Sequence, residues 1–173
     1  LLDAWDARYE YLGARGRTFY VHTTQGAPRG RIVAIDLDAP EPRSWRTLVP
    51  EGRDAIERAE LLGGHFVVSV LRDARSAVRV HRLDGTLRGE VALPGLGQVS
   101  AFRGRPGENE AFFAYTDFLT PWTIHRYDVA ADRVEVFRRP GVAFDASPYV
   151  TEQVFARSKD GTRVPMFLTH RRD

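Results

Sequence analysis

An internal echo limits this chain more than any other feature. Val80-His81-Arg82-Leu83-Asp84 returns as Ile124-His125-Arg126-Tyr127-Asp128, 44 positions later. A weaker copy, Ile32-Val33-Ala34-Ile35-Asp36, lies 48 positions before the first. A more apolar run precedes each copy (Thr18–His22, Phe66–Leu71, Ala111–Tyr115), and before it comes a further short one (Tyr9–Leu12, Ile56–Leu62, Val99–Phe102). Another strand-like run follows each copy (Trp45–Val49, Leu87–Leu93, Arg133–Arg138) and is closed by Pro50, Pro94 or Pro140. The unit is therefore four short strands in about 45 residues, the pattern of a propeller blade.

The expected architecture is all-β: three four-stranded blades over 1–51, 52–96 and 97–141. A linker follows at 142–148, then a hairpin at 149–173 that has no blade phase. A β-sandwich or two small barrels would not explain the in-phase echoes. Asp84-Gly85 and Ala130–Asp132 supply turn chemistry between third and fourth strands. The second strand of each unit is apolar on both faces, as in Phe66–Leu71, which predicts a sheet buried from both sides. The third strand mixes apolar residues with Arg and His, which predicts a position closer to solvent. One local conflict arises at Asp54–Leu62, where Asp54 and Glu57 read as a helix start and Gly63-Gly64 as its stop. The repeat puts a strand there instead.

Composition excludes several functions. The chain has no cysteine, so disulfides, thiolate zinc sites and thiol catalysis are ruled out. That absence is compatible with cytosol and periplasm alike, and compartment stays unknown. No apolar run approaches the roughly 18–20 residues of a membrane span, so no membrane partner is expected. The 25 basic residues, all but Lys159 arginine, face 23 acids for a net charge of +2 and are scattered, which argues against a nucleic-acid partner. His22, His65, His81, His125 and His170 offer no metal spacing, although His81 and His125 are equivalent in adjacent units. Asp36, Asp84 and Asp128 recur at strand ends and read as turn caps rather than paired carboxylates. Gly95-Leu96-Gly97 has Ser100 where a third glycine should fall, so no cofactor-binding loop is expected. Phe118-Leu119-Thr120-Pro121-Trp122 is apolar bulk in a surface connection and reads as a packing site.

Three blades cannot close a ring, since propellers need about four to eight. The chain opens Leu1-Leu2 and holds one methionine, Met166. Both features lead us to expect a portion of a longer polypeptide.

The tail carries a family resemblance. Thr151-Glu152-Gln153-Val154-Phe155, followed by Ser158–Leu168, closely resembles the start of the hydrolase domain in prolyl oligopeptidases. Tyr115–Pro121 resembles that family's last-blade segment, and Leu48–Glu51 and Phe144–Ser147 match in order. The resemblance implies a seven-bladed propeller covering an α/β-hydrolase domain with a Ser-Asp-His triad, which cuts short peptides after proline. The propeller would gate access to the site, and residues 1–141 would be its last three blades. The ring would close without a shared strand, so the blade at 97–141 would face that seam. Tyr149 onward would begin the hydrolase domain. The implied partners are the rest of the polypeptide and a proline-containing peptide. None of Ser44, Ser69, Ser76, Ser100, Ser147 and Ser158 lies in the Gly-x-Ser-x-Gly elbow that exposes a nucleophile. No catalytic, cofactor-binding or metal residue is therefore assigned, and no cofactor is expected. The alternative from a different class is a non-catalytic, propeller-like scaffold that binds a protein partner.

Overall fold

The computed structural model describes residues 6–105 and 107–172. The first antiparallel sheet holds β1 (Tyr9–Arg15), β2 (Thr18–Thr23), β3 (Arg31–Asp36) and β4 (Arg46–Val49). The second holds β5 (Ala55–Leu62), β6 (His65–Arg72), β7 (Arg75–Arg82) and β8 (Leu87–Glu90). In the third, β9 (Gln98–Val99) and β10 (Arg103–Gly104) both pair with β11 (Glu110–Thr116), which continues to β12 (Thr123–Asp128) and β13 (Arg133–Arg138). A separate hairpin pairs β14 (Tyr149–Arg157) with β15 (Arg163–Arg171). Among the described residues no helix is long and apolar enough to cross a membrane.

The echo has a structural cause. In all three sheets the pairing of third and fourth strands slips at its copy of the motif, between Ile32 and Val33, Val80 and His81, and Ile124 and His125. A bulge at the same place in each unit sharpens the local twist and bends the outer strand away from the ladder. The second echoed segment is offset, however: β7 ends at Arg82, and Leu83 and Asp84 lie in the turn.

The segment with helix signals is β5. Gly63 and Gly64, at φ of 52° and 70°, make the two-residue turn into β6 rather than a helix stop. Consecutive left-handed residues are what the hairpin twist requires. Gly85 is constrained differently: a Cβ there would lie 2.1 Å from the Leu48 carbonyl oxygen, so only glycine lets this turn meet the first sheet.

Period-two alternation divides the second sheet between two cores. Phe66, Val68, Val70 and Ala77 pack with Tyr20, Ile32, Ala34 and Leu48 of the first sheet. Val67, Val78 and Val80 pack with Phe102, Phe113, Tyr115 and Tyr127 of the third. Phe113 is sandwiched between Phe102, at 4.4 Å between ring centroids, and His125, at 5.2 Å. The double-sided burial expected of the second strands is present in β6. The expected solvation of the third strands is not. His81 and His125 are buried because each ring Nδ1 meets a main-chain carbonyl, of Gly85 at 3.0 Å and Thr123 at 3.2 Å. Arg79 stays at the rim, where it and Arg72 share Asp54 and Glu90. The third sheet turns its other face outward, with Phe137 and Ile124 exposed.

Three stability changes follow. Phe113→Ala should lower unfolding free energy by about 3–5 kcal/mol in urea titration, whereas Phe137→Ala at the open face should lower it by less than about 1 kcal/mol. Asp73 and Ala74, in the turn between β6 and β7, both have left-handed backbones (φ 47° and 65°). Ala74→Gly should relieve that strain and stabilise the chain by up to about 1 kcal/mol in the same titration.

Candidate functional site

Two places gather side chains with chemical capacity. One is a wall made by the first strands of all three sheets. A cleft of about 330 Å³ there is lined by Arg8, Glu10, Arg58, Glu60, Phe102 and Arg103, among others. Glu60 is the unusual member. Its strand is otherwise rich in apolar positions, and burial pushes its carboxyl up to about 7. Arg103, the Phe102 backbone and Arg58 oppose that shift, and Glu10 reinforces it. One carboxyl oxygen of Glu60 is buried with no partner among the described residues. Nearby, Glu10 takes Arg8 at 3.0 Å and stands 3.4 Å from Nδ1 of the fully buried His22. Burial lowers the His22 pKa, and its Nε2 has no partner among the described residues. The sequence reading missed this wall. Its one signal was a lone glutamate between Ala59 and Leu61-Leu62.

The other place is the loop end of the second and third sheets. Asp117 organises the β11–β12 connection by accepting from the Tyr115 hydroxyl at 2.7 Å and from the Leu119 amide at 2.9 Å. Burial, then Asp117, raises the Tyr115 pKa and keeps the phenol protonated. Thr116 Oγ1 donates to the Thr120 carbonyl at 2.8 Å. On this braced loop Phe118 stands 65% exposed, with its ring 5.6 Å from Phe167 of the hairpin. Trp122, at the end of the same apolar segment, is exposed too.

The structure separates the other residues that the sequence singled out. Asp36, Asp84 and Asp128 each accept from a main-chain amide in the turn they precede, of Asp38, Thr86 and Ala131. They are turn caps. His81 and His125 face the preceding sheet in each case but belong to different cores, and among the described residues no three candidate ligands converge on a metal position. Ser76 and Ser100 accept main-chain amides through their hydroxyls, and none of the histidine hydrogen bonds found among the described residues goes to a serine. This arrangement can bind, orient and exclude water. Among the described residues it brings no nucleophile to a base.

Comparison with known proteins gives a consistent result. Residues 1–140 match the family described as prolyl oligopeptidase, N-terminal beta-propeller domain. The chain is 30% identical over 172 residues to a prolyl endopeptidase of Elizabethkingia miricola, covering 99% of this chain and 24% of that protein. It is also 30% identical to a dual-function macrocyclase-peptidase of Amanita bisporigera, over 97% of this chain and 24% of that one. Among solved structures, one from a study of two prolyl endopeptidases and inter-domain dynamics superposes with a TM-score of 0.87 at 38% identity, covering 99% of this chain and 25% of that one. Prolyl oligopeptidase B from Galerina marginata gives a TM-score of 0.87 at 26% identity, covering 98% and 25%. The chain thus spans about a quarter of the length of the relatives it matches.

The wall generates a pH prediction. Because the folded pKa of Glu60 lies above its unfolded value, the folded chain binds that proton more tightly. The stability this contributes is fully present below about pH 4.5 and is lost as pH rises through about 7. Glu60→Gln should therefore leave urea stability near pH 4 little changed. At pH 8 it should raise it by about 1–3 kcal/mol, flattening the profile between.

Proposed function

The chain belongs to the prolyl oligopeptidase family, in its N-terminal β-propeller domain, and on that premise we propose that it is the substrate-gating portion of a serine endopeptidase that cleaves short peptides after proline. The three sheets are then blades at 1–51, 52–96 and 97–141, and 142–148 is a linker. The hairpin at 149–173 is the first element of an α/β-hydrolase domain, beyond the stretch that the propeller family matches. The catalytic triad belongs to that domain and not to this chain. The partners are the rest of the polypeptide and a proline-containing peptide.

The observation that carries this reading is the hairpin's second face. Cross-strand register puts Val154, Met166, Leu168 and Val164 on the face opposite Gln153 and Phe167, together with Glu152 and His170, and Met166, Leu168 and Val164 are 40–48% exposed. An apolar row of that kind on a two-stranded sheet calls for a cover, since isolated hairpins are marginally stable. A stand-alone scaffold leaves this row without purpose. The open face of the third sheet, with Phe137 and Ile124, supports the same reading, because an end blade of an open arc needs a neighbour. Gating follows from rigidity: sheets tied through two shared cores form a wall that admits extended peptides, excludes folded chains and keeps water from the site.

The test compares this chain with the longer polypeptide that contains it, using a chromogenic Gly-Pro substrate with and without a serine-directed inhibitor. The chain alone should show no cleavage. The longer protein should cleave the short substrate in an inhibitor-sensitive way and digest a folded protein more than about a hundredfold more slowly. Equal rates on both substrates would refute the gating role.

A further inference from the structure

The strands β1, β5 and β10 each form an edge of their sheet, and all three border the cleft of about 330 Å³ in the charged wall. Charge on an edge strand ordinarily does no more than block unwanted pairing. Here the charges of three separate edges meet. Arg8 and Glu10 come from the start of the first sheet, Arg58 and Glu60 from the second, and Arg103 from the third. Alternation along β5 puts Arg58 and Glu60 on one face with Leu62, which packs in the core shared with the third sheet. That face is the one turned toward Phe102 and Arg103.

The arginines of this cleft are under-used. On interior strands, Arg72, Arg79 and Arg126 each bind two carboxylates. The Arg8 guanidinium takes Glu10 at 3.0 Å. Arg58 and Arg103 feel the field of Glu60, yet neither forms an ion pair or a side-chain hydrogen bond among the described residues. Both are exposed, and each guanidinium is a planar fork of donors that suits a carboxylate. Glu60 neutralises them only in part, because burial favours its protonated form. By formal charge, the arginines outweigh Glu10 and Glu60 by one when Glu60 is ionised and by two when it is protonated. A singly charged anion is matched in either state, whereas a dianion is over-charged for one of them. The volume lies at the small end of ligand sites, which suits the end of a peptide or a small acid.

We propose that this cleft binds a carboxylate group, clamped by Arg58 and Arg103 across the junction of the second and third sheets, with Arg8 closing it from the first. The carboxylate comes from the C-terminus of a peptide or from a free small acid. Glu60 sets the strength of the clamp through its charge, and one of its oxygens is sealed from solvent. The site uses no nucleophile and stands independently of the peptidase reading.

Carboxylate binding and protonation of Glu60 favour each other, so affinity is greatest below about pH 7 and falls as pH rises through it. Arginine is charged throughout this range, and a peptide's terminal carboxyl is ionised above about pH 3.5. His22, behind Glu10, is held toward its neutral form by burial and adds little charge.

Titration calorimetry on this chain at low salt tests the site, with N-acetyl-trialanine, its C-terminal amide, acetate and inorganic phosphate as probes. At pH 6.5 the free acid should bind more than about tenfold tighter than the amide. Acetate equal to the peptide assigns the site to small acids, and a tighter peptide assigns it to peptide ends; both support the proposal. Moving to pH 8 should weaken binding about five- to tenfold, and Glu60→Gln should abolish that loss. Arg58→Gln and Arg103→Gln should each cost about tenfold, whereas Arg43→Gln, in the β3–β4 connection of the first sheet, should cost nothing. Exposed arginines can be replaced without loss of the fold. No binding, an amide that binds as well as the acid, or phosphate that binds tighter than the peptide at pH 8 would overturn the proposal. So would Arg58 and Arg103 variants that behave like Arg43→Gln, or a pH dependence that survives Glu60→Gln.

Discussion

The second sheet is buried on both faces, and the rest of the molecule is arranged around that fact. Its strands alternate Phe66, Val68 and Val70 toward one neighbour with Val67, Val78 and Val80 toward the other. A one-residue slip of register would exchange the two sets and mismatch both cores at once. The first and third sheets each need this neighbour to cover one face, so the three cannot be rearranged independently. Arg88 adds a polar tie, reaching from β8 to the Val129 and Ala130 carbonyls of the third sheet.

That rigidity separates the molecule into parts with different work. At one side the first strands converge on a charged wall, where Glu60 is held half-desolvated among arginines. At the loop end, turns with unusual backbones or exposed aromatics reach out to the hairpin. The wall is built from strands of the sheets themselves. The hairpin meets the loops through Gln153 and Phe167, the middle pair of its ladder, and its other face carries exposed Met166 and Leu168. Sheets tied through shared cores, beside a hairpin with an uncovered apolar face, are what the proposed gating role calls for.

Much of this was legible in the chain because a repeat reports on itself. The echoed segments mark the bulges at Ile32-Val33, Val80-His81 and Ile124-His125, and a feature seen three times outweighs a local helix signal such as Asp54-Ala55-Ile56-Glu57. The aspartate caps were readable for the same reason. Burial of the third strands was not, because residue type cannot show that His81 and His125 each find a carbonyl inside the fold. Nor was the break between β9 and β10, where Ser100 accepts the Ala114 amide through its hydroxyl, a role unrelated to strand propensity. The wall and the hairpin's seat depend on residues distant in sequence, Glu60 with Arg103 and Gln153 with Asp73, and no spacing rule links them.

The central claim is that the bare faces of the third sheet and the hairpin are internal surfaces of a larger peptidase. Fragment complementation tests it most directly: this chain is mixed with the separately produced remainder of the longer polypeptide, and proline-specific, inhibitor-sensitive cleavage is followed. The account predicts that the two parts associate, that exchange at Phe137 and Leu168 slows, and that discrimination against folded substrates appears only in the mixture. A remainder that ignores this chain and discriminates equally well without it would contradict the account.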